Sequence, residues 1–400
     1  MGFSIASFYG FKRYGNKGSN VKNQQKLKTE YSIKIADLSD ISNLNINASL
    51  KRKIEKILKS PEYRQFSGGC RLYINMNIKE ALCQNFKNLK EIRAKFKTNE
   101  DCKEFLEKYI WEGVPVHPKY PTYKVYKCKD GWYKCKENGA EFNILTGTFL
   151  QNTKIPLPIW FEVIFRECSD KRGLATPTLM RDYGLSKVTA ELMIKKIDNA
   201  MGFENHQELE NIVEVDEYYE GGALKNMHYG RKLAVKKVPY QNKKLLQGFV
   251  QRNGNAVIRV VPNMFDGTLN AGVFRYVKQG STLYSDDNPS YQKLPPIYNQ
   301  GVVVHSKGNY VNKENKNIFT NTIESLWATF ERMKKTHIHV SLKHLQNYAN
   351  EVVFRYNTRK MEAGDACLWL LQNMQGTNIT WKEIRNAKYT RYNRDKARVA

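Results

Sequence analysis

Four hundred residues are enough for two or three domains with sizeable cores, and a formal charge of +26, from 65 Lys and Arg against 39 Asp and Glu, calls for a polyanionic partner. Nucleic acid is the first partner to consider and an anionic membrane the second; double-stranded DNA is expected and no membrane span, because no apolar run approaches the roughly 20 residues that cross a bilayer. Seven cysteines, odd in number and irregularly spaced with no C-x-x-C pair, argue against a disulfide framework and for reduced thiols.

Residues 1–110 form a basic region to which the sequence assigns no role. The first sixty are rich in Asn, Lys and Ser and read as an arm, with a short helix over 49–59; residues 78–110 carry helical spacing with lysines on the outer face. The opening twelve residues lack the apolar core of a signal peptide. A cytoplasmic, nucleoid-associated protein is therefore expected, or a nuclear one in a eukaryotic host.

Residues 111–153 change to short aromatic and polar alternation, TYKVYKCKDGWYKCKENGAEFN, broken at Lys129, Asp130 and Gly131 as a hairpin would be. Zinc ribbons have this shape, but a structural zinc needs four good ligands. Here His117, Cys128 and Cys135 are the three available, so a metal-free remnant of a ribbon is expected.

Residues 154–204 read as a helix-turn-helix. A first helix covers 160–168, Thr176 and Pro177 open a second, Tyr183 and Gly184 close it, and Ser186 caps a third, KVTAELMIKKIDNAM. A short capped helix, a Gly turn and a lysine-bearing helix place a recognition helix in a major groove, whereas a helical spacer has the same pattern. The net charge favours DNA, with Lys187, Lys195 and Lys196 as the contacts.

Residues 210–360 carry a different alternation. IVEVDEYYEGG is a strand with acids embedded in it; LLQGFVQR and AVIRVVPN form a hairpin about Asn253, Gly254 and Asn255; 266–279 is helical; STLYSDD is a fourth strand and GVVVH a buried fifth. Amphipathic helices follow over 321–335 and 342–356, and a basic tail over 361–400. A three-stranded meander followed by helix, strand, helix, strand and helix describes a ribonuclease H-like α/β core, a mixed five-stranded sheet with helices.

Three carboxylates stand out by position. Asp216 lies inside the first strand, Asp286 ends the fourth 70 residues later, and Glu324 lies in the first turns of the next long helix, 38 further on. First and fourth strands are neighbours in such a sheet, and the late helix crosses their ends, so the three converge. Convergent carboxylates repel unless cations neutralise them, and hard oxygen ligands select Mg²⁺ or Mn²⁺. A pair of such ions activates the attacking oxygen and stabilises the leaving one at phosphorus. Glu217 and Asp287 compete for the same register, since alternation turns only one of each adjacent pair to a given face. Asn321, one turn before Glu324, is a further candidate ligand.

The segments VEVDEYYEGG, GSTLYSDDNPSYQKL, VVVHSKGNYV, FTNTIESLWATFERMKK and HVSLKHLQNYANEVVFRYNTR resemble the ISXO-like transposases of bacterial insertion sequences, relatives of the eukaryotic Merlin elements. The resemblance runs from about residue 123 to 359, in the family's order. It implies transposition chemistry with Asp216, Asp286 and Glu324 as metal ligands, and carries over His305, Lys334 and Lys335 as auxiliary positions near DNA or phosphate. Two departures are visible. Tyr218 stands where the family commonly has Thr, with no chemical consequence expected, and the family's two C-x-x-C pairs align with His117 to Tyr120 and Cys135 to Asn138, which puts zinc in doubt.

The leading expectation is a DDE transposase that cleaves and transfers strands at the terminal inverted repeats of its element into target DNA, working as a homodimer or larger assembly. The alternative is a decayed or co-opted copy that binds DNA without catalysis, motivated by the incomplete ribbon. A hydrolytic ribonuclease H-like nuclease is a third reading, disfavoured by the helix-turn-helix pattern.

Overall fold

A computed structural model describes residues 86–111, 114–222, 243–303, 318–337 and 340–386, two short strands before them, and a few positions between 223 and 242. The chain divides after Gln84 into two units. In the first, β1 (Ser32–Ile35) pairs antiparallel with β2 (Leu72–Asn75), neither of them anticipated from sequence. The helix expected over 49–59 lies outside the described residues.

The second unit opens with α1 (Leu89–Lys95) and α2 (Asn99–Ile110). Thr98 and Asp101 close a reciprocal capping box on α2, satisfying two amide donors that a helix start leaves without partners. Both helices pack on α3 (Leu157–Ser169). The expected hairpin is present: β3 (Val125–Lys127) and β4 (Tyr133–Cys135) pair antiparallel about a turn at Lys129–Gly131, and β5 (Glu141–Phe142) adds a third strand.

Downstream of α3, α4 (Thr176–Tyr183) ends at Gly184, whose φ of 62° is left-handed and suits a residue without a Cβ. Ser186 then caps α5 (Lys187–Met201), its side chain accepting from the Thr189 amide at 3.2 Å. The stop at Gly184 and the cap at Ser186 are those read from the sequence, whereas α3 starts at Leu157 rather than Trp160, and Ala175 rather than Thr176 is the N-cap of α4.

The centre of the unit is a five-stranded mixed sheet in the order β10-β9-β6-β7-β8. Strands β6 (Ile212–Glu220), β7 (Lys244–Gln251) and β8 (Ala256–Val261) form an antiparallel meander; β9 (Thr282–Asp286) joins β6 in parallel, and β10 (Asn299–Val303) joins β9 in parallel at the edge. Asn253, at φ 61°, makes the turn between β7 and β8.

Alternation along β6 and β7 sends side chains to two cores. Val213, Val215, Leu245 and Phe249 pack with Leu269 and Val273 of α6 (Asp266–Tyr276). On the other face, Leu246, Val250 and Ile258 pack beneath α8 (Asn321–His337) and α9 (Leu345–Asn357). α8 buries Ile323, Leu326, Trp327, Phe330 and Met333, the spacing of one helical stripe. The short α7 (Pro289–Gln292) lies between β9 and β10, and α10 (Ala363–Gln372) and α11 (Trp381–Asn386) close the described chain. Among the described residues, no helix is long and apolar enough to cross a membrane.

Candidate metal centre

Strand register sets the site. β6 and β9 pair only from Ile212 opposite Thr282 to Glu214 opposite Tyr284. Two residues further along each strand come Asp216 and Asp286, side by side where this ladder has ended while β9 continues against β10. Carboxylate oxygens of Asp216, Glu217 and Asp286 all lie within 4.8 Å of one another, and all three residues are half-buried.

The expectation that only one of Asp216 and Glu217 could serve is corrected by this geometry. Adjacent residues do point to opposite faces of a strand, but beyond Glu214 no partner on the β9 side separates those faces, so both oxygens reach the gap.

Each acid is held from its own side. Trp327 of α8 donates its indole N–H to Asp216 Oδ2 at 3.0 Å. Glu217 accepts from Asn288 Nδ2 at 3.0 Å and from the Tyr291 hydroxyl. Tyr291 is in turn held by Gln247 Nε2 at 3.0 Å, and Gln247 Oε1 by Arg259 Nε at 2.8 Å, so a buried polar chain supports Glu217 from beneath. Burial, reinforced by the charges of Asp286 and Asp216, pushes the Glu217 carboxyl up to about 7, although its bonds from Tyr291 and Asn288 act the other way. A divalent cation would relieve the same repulsion, and an all-carboxylate set of this size suits a hard one such as Mg²⁺ or Mn²⁺.

Glu214, two residues before Asp216, does a different job. Its buried carboxylate accepts from the amides of Thr322 and Ile323 at 2.8 and 3.0 Å, from the Thr322 hydroxyl at 2.9 Å and from Arg252 Nε at 2.7 Å. An acid at a helix N-terminus is favoured by both the free amides and the helix dipole. The start of α8 is thereby fixed to the strand that carries Asp216.

Glu324 lies in the first turn of that helix, half-buried, one turn before Trp327, and outside the group of three carboxylates. Asn321 is exposed at the first helical position. Asp287 is half-buried and likewise outside the group. His305 lies outside the described residues.

Lys334 pairs with Glu220 at 2.6 Å and Glu331 at 3.0 Å. Burial works against its charge, but those two partners outweigh burial and raise its pKa. Lys335, beside it, is exposed. Tyr218 has a structural role that the sequence reading missed: its ring stacks on Trp327 with centroids 5.2 Å apart, and its hydroxyl donates to Glu331.

The other candidates are scattered. Lys187 is exposed at the start of α5, but Lys195 and Lys196 are buried, which corrects the expectation that they face a DNA groove. Their stretch of α5 packs on α9; Lys195 pairs with Glu191 at 2.8 Å, and Lys196 donates to the Phe149 carbonyl at 2.9 Å. His117, Cys128 and Cys135 do not come together as a ligand group; His117 Nδ1 accepts from the amides of Lys119 and Tyr120, and burial lowers its pKa.

A second buried acidic cluster links the helices. Glu167 of α3, Asp198 of α5 and Glu351 of α9 have oxygens within 4.8 Å of one another. Arg355 bridges two of them, at 2.5 Å from Glu167 and 3.0 Å from Glu351, and His337 Nε2 lies 3.4 Å from the other Glu351 oxygen.

Residues 208–357 match the ISXO2-like transposase domain, the stretch that holds the whole sheet, α8 and α9. Over 264 residues, 64% of this chain and 86% of the relative, the protein is 23% identical to an uncharacterized protein in transposable element ISH50 of Halobacterium salinarum. The resemblance read from the sequence is thus supported by a transposase-family domain spanning residues 208–357.

Proposed function

We propose that the protein is a DNA transposase of the DDE type, with a ribonuclease H-like catalytic core at 210–360. The convergence of Asp216, Glu217 and Asp286 at the end of two neighbouring parallel strands, inside the matched domain, carries the reading. Its strand order, a meander continued by two parallel strands, supports the fold assignment. DNA is the substrate, and the chain acts as a homodimer or larger assembly on inverted repeats and target.

Asp216 and Asp286 are the metal ligands of this proposal, with Glu217 beside them. Glu324 joins from α8 by a change of side-chain rotamer when DNA is bound, and Asn321 is placed to assist it. Divalent cations held there would supply Lewis-acid charge at the scissile phosphate. The chain's own contribution is orientation: Trp327 fixes Asp216, Asn288 and Tyr291 fix Glu217, and Glu214 fixes the helix that brings Glu324. Exposed Lys335 is placed to meet a phosphate. Upstream, α4 and α5 act as a helix-turn-helix that presents Lys187 to a groove, and residues 111–153 keep a ribbon-like hairpin without zinc.

The test is Mg²⁺- or Mn²⁺-dependent cleavage of a duplex carrying the flanking inverted repeats. Wild type is expected to cleave, while Asp216→Asn and Glu324→Gln bind the duplex and leave it whole. Cleavage unaffected by Asp216→Asn would overturn the assignment of the site. A second reading, a copy that binds DNA without cutting it, draws on the position of Glu324 outside the carboxylate group; binding without cleavage by wild type, across metals and repeats, would select it.

A further inference from the structure

We propose that Met264 and Phe265 form a stacking wedge that receives an unpaired nucleobase next to the carboxylate site. This inference rests on the DNA-cleaving reading above and deepens it by assigning a positioning element for the DNA end.

Phe265 is 74% exposed and its neighbour Met264 38%, immediately before α6. Exposure of a large aromatic forgoes the gain available from burying it. The ring is nevertheless carried on a well-tied backbone. The Phe265 amide donates to Asn263 Oδ1 at 3.1 Å, its carbonyl accepts from the amides of Thr268 and Leu269, and the Thr268 hydroxyl closes the loop on Asn263 at 2.7 Å. The loop is therefore built to hold this side chain outward.

Its location ties it to the acids. Met264 Sδ contacts the hydroxyl of Tyr219, which follows Glu217 by two residues on the same face of β6, roughly 7 Å along the strand. Ser290 Oγ donates to Asp266 Oδ1 at 2.8 Å. Asn288 accepts from the Ser290 amide at 3.0 Å while donating to Glu217. Loop, α7 and carboxylate thus share one hydrogen-bonded scaffold. Lys293, its side chain 64% exposed, pairs at 2.5 Å with Asp266, the residue that follows Phe265.

An exposed aromatic ring, on a loop tied through Met264 to the strand that carries the acids, suits an unpaired base at the proposed phosphodiester-cleaving centre. Every base has a π-face to stack, and apolar side chains inserted between base steps unstack a duplex. Opening the pair next to the scissile bond would let the backbone reach the half-buried acids, and the wedge would offset the lost stacking.

The experiment uses full-length protein and two duplexes, one fully paired and one with mismatches at the pairs flanking the cleaved bond. Phe265→Ala should cleave the paired duplex roughly 10- to 100-fold more slowly, the range expected for one lost base stack. It should regain near wild-type rates on the mismatched duplex, and Phe265→Trp should stay active on both. Its melting temperature should match wild type, since the ring is exposed. Equal rates for Phe265→Ala and wild type on the paired duplex, or an equal defect on both duplexes, would overturn the wedge. So would a changed oligomeric state for Phe265→Ala, which would assign the ring to a protein contact. Failure of wild type to cleave either duplex would instead count against the DNA-cleaving reading, and against the wedge with it.

Discussion

The indole N–H of Trp327 reaches Asp216 at 3.0 Å because residue 248, directly across the ladder from Asp216, is glycine. A Cβ at Gly248 would lie 2.7 Å from Cζ2 of Trp327 and 3.3 Å from Cδ1 of Ile323. The missing side chain on β7 is the seat of the aromatic ring on α8, and the ring orients the acid on β6.

Gly248→Ala should therefore displace Trp327 and disturb Asp216. We expect a loss of about 1–3 kcal/mol in stability by urea unfolding, as for overpacked cores, with at least about a tenfold fall in metal-dependent cleavage. Trp327→Phe keeps an aromatic ring over Gly248 and removes only the N–H donor, so it should reduce cleavage with a smaller stability cost. Wild-type cleavage by both variants would disconnect the ring from the site.

Glu214→Gln tests the anchor of α8. It leaves Arg252 facing a neutral group in a buried setting, and breaking such a pair typically costs about 3–5 kcal/mol. The expected result is a lower urea midpoint with an unchanged slope. Stability equal to wild type would mean that Arg252, whose Nη2 also donates to the Phe319 carbonyl at 2.8 Å, holds this junction without the acid.

The cluster of Glu167, Asp198 and Glu351 predicts a pH dependence of stability. Burial, then the charges of Glu351 and Glu167, holds the Asp198 carboxyl well above its usual range, and burial pushes Glu167 up to about 7. The folded state thus keeps protons that the unfolded chain releases near pH 4, and the stability these groups contribute falls as pH rises through that interval. Asp198→Asn removes a proton-dependent member of the cluster. Its melting temperature relative to wild type should rise between pH 5 and pH 8, by differential scanning fluorimetry; a constant difference would show that folding does not make Asp198 hold its proton above the unfolded range.

Lys187 and Lys196 should separate cleanly in a DNA-binding assay. Lys187→Ala is expected to reduce the slope of log affinity against log salt by about one, the signature of one lost phosphate contact. Lys196→Met should leave that slope unchanged and lower stability, because its ammonium is spent on the Phe149 carbonyl. The reverse pattern would put the buried lysine at the interface after all.

Periodicity and turn chemistry made much of the architecture legible in the sequence. The break at Lys129–Gly131, the stop at Gly184, the cap at Ser186 and the turn at Asn253 are local signals, and each coincides with an observed boundary. The neighbouring first and fourth strands followed from the order of elements. What escaped depends on contacts distant in sequence. Glu214 reads as one more acid in EVDE until α8 is seen to start on it. Glu217 joins Asp216 because pairing with β9 stops at Glu214, and no strand pattern announces where a ladder ends. Lys195 and Lys196 looked solvent-facing because lysine usually is, whereas their helix is covered by α9. The signal that could have found Tyr218 was its departure from the family's common Thr, a large ring in a place with room only if something stacks there.

The division of labour along VEVDE bears on how such a gene would decay. A copy retained only for gripping DNA would be free to lose Asp216 and Asp286, the proposed metal ligands, yet would still need Glu214 and Arg252, which tie the start of α8 to the sheet. Along such a lineage, the silent acid would outlast the proposed metal ligands.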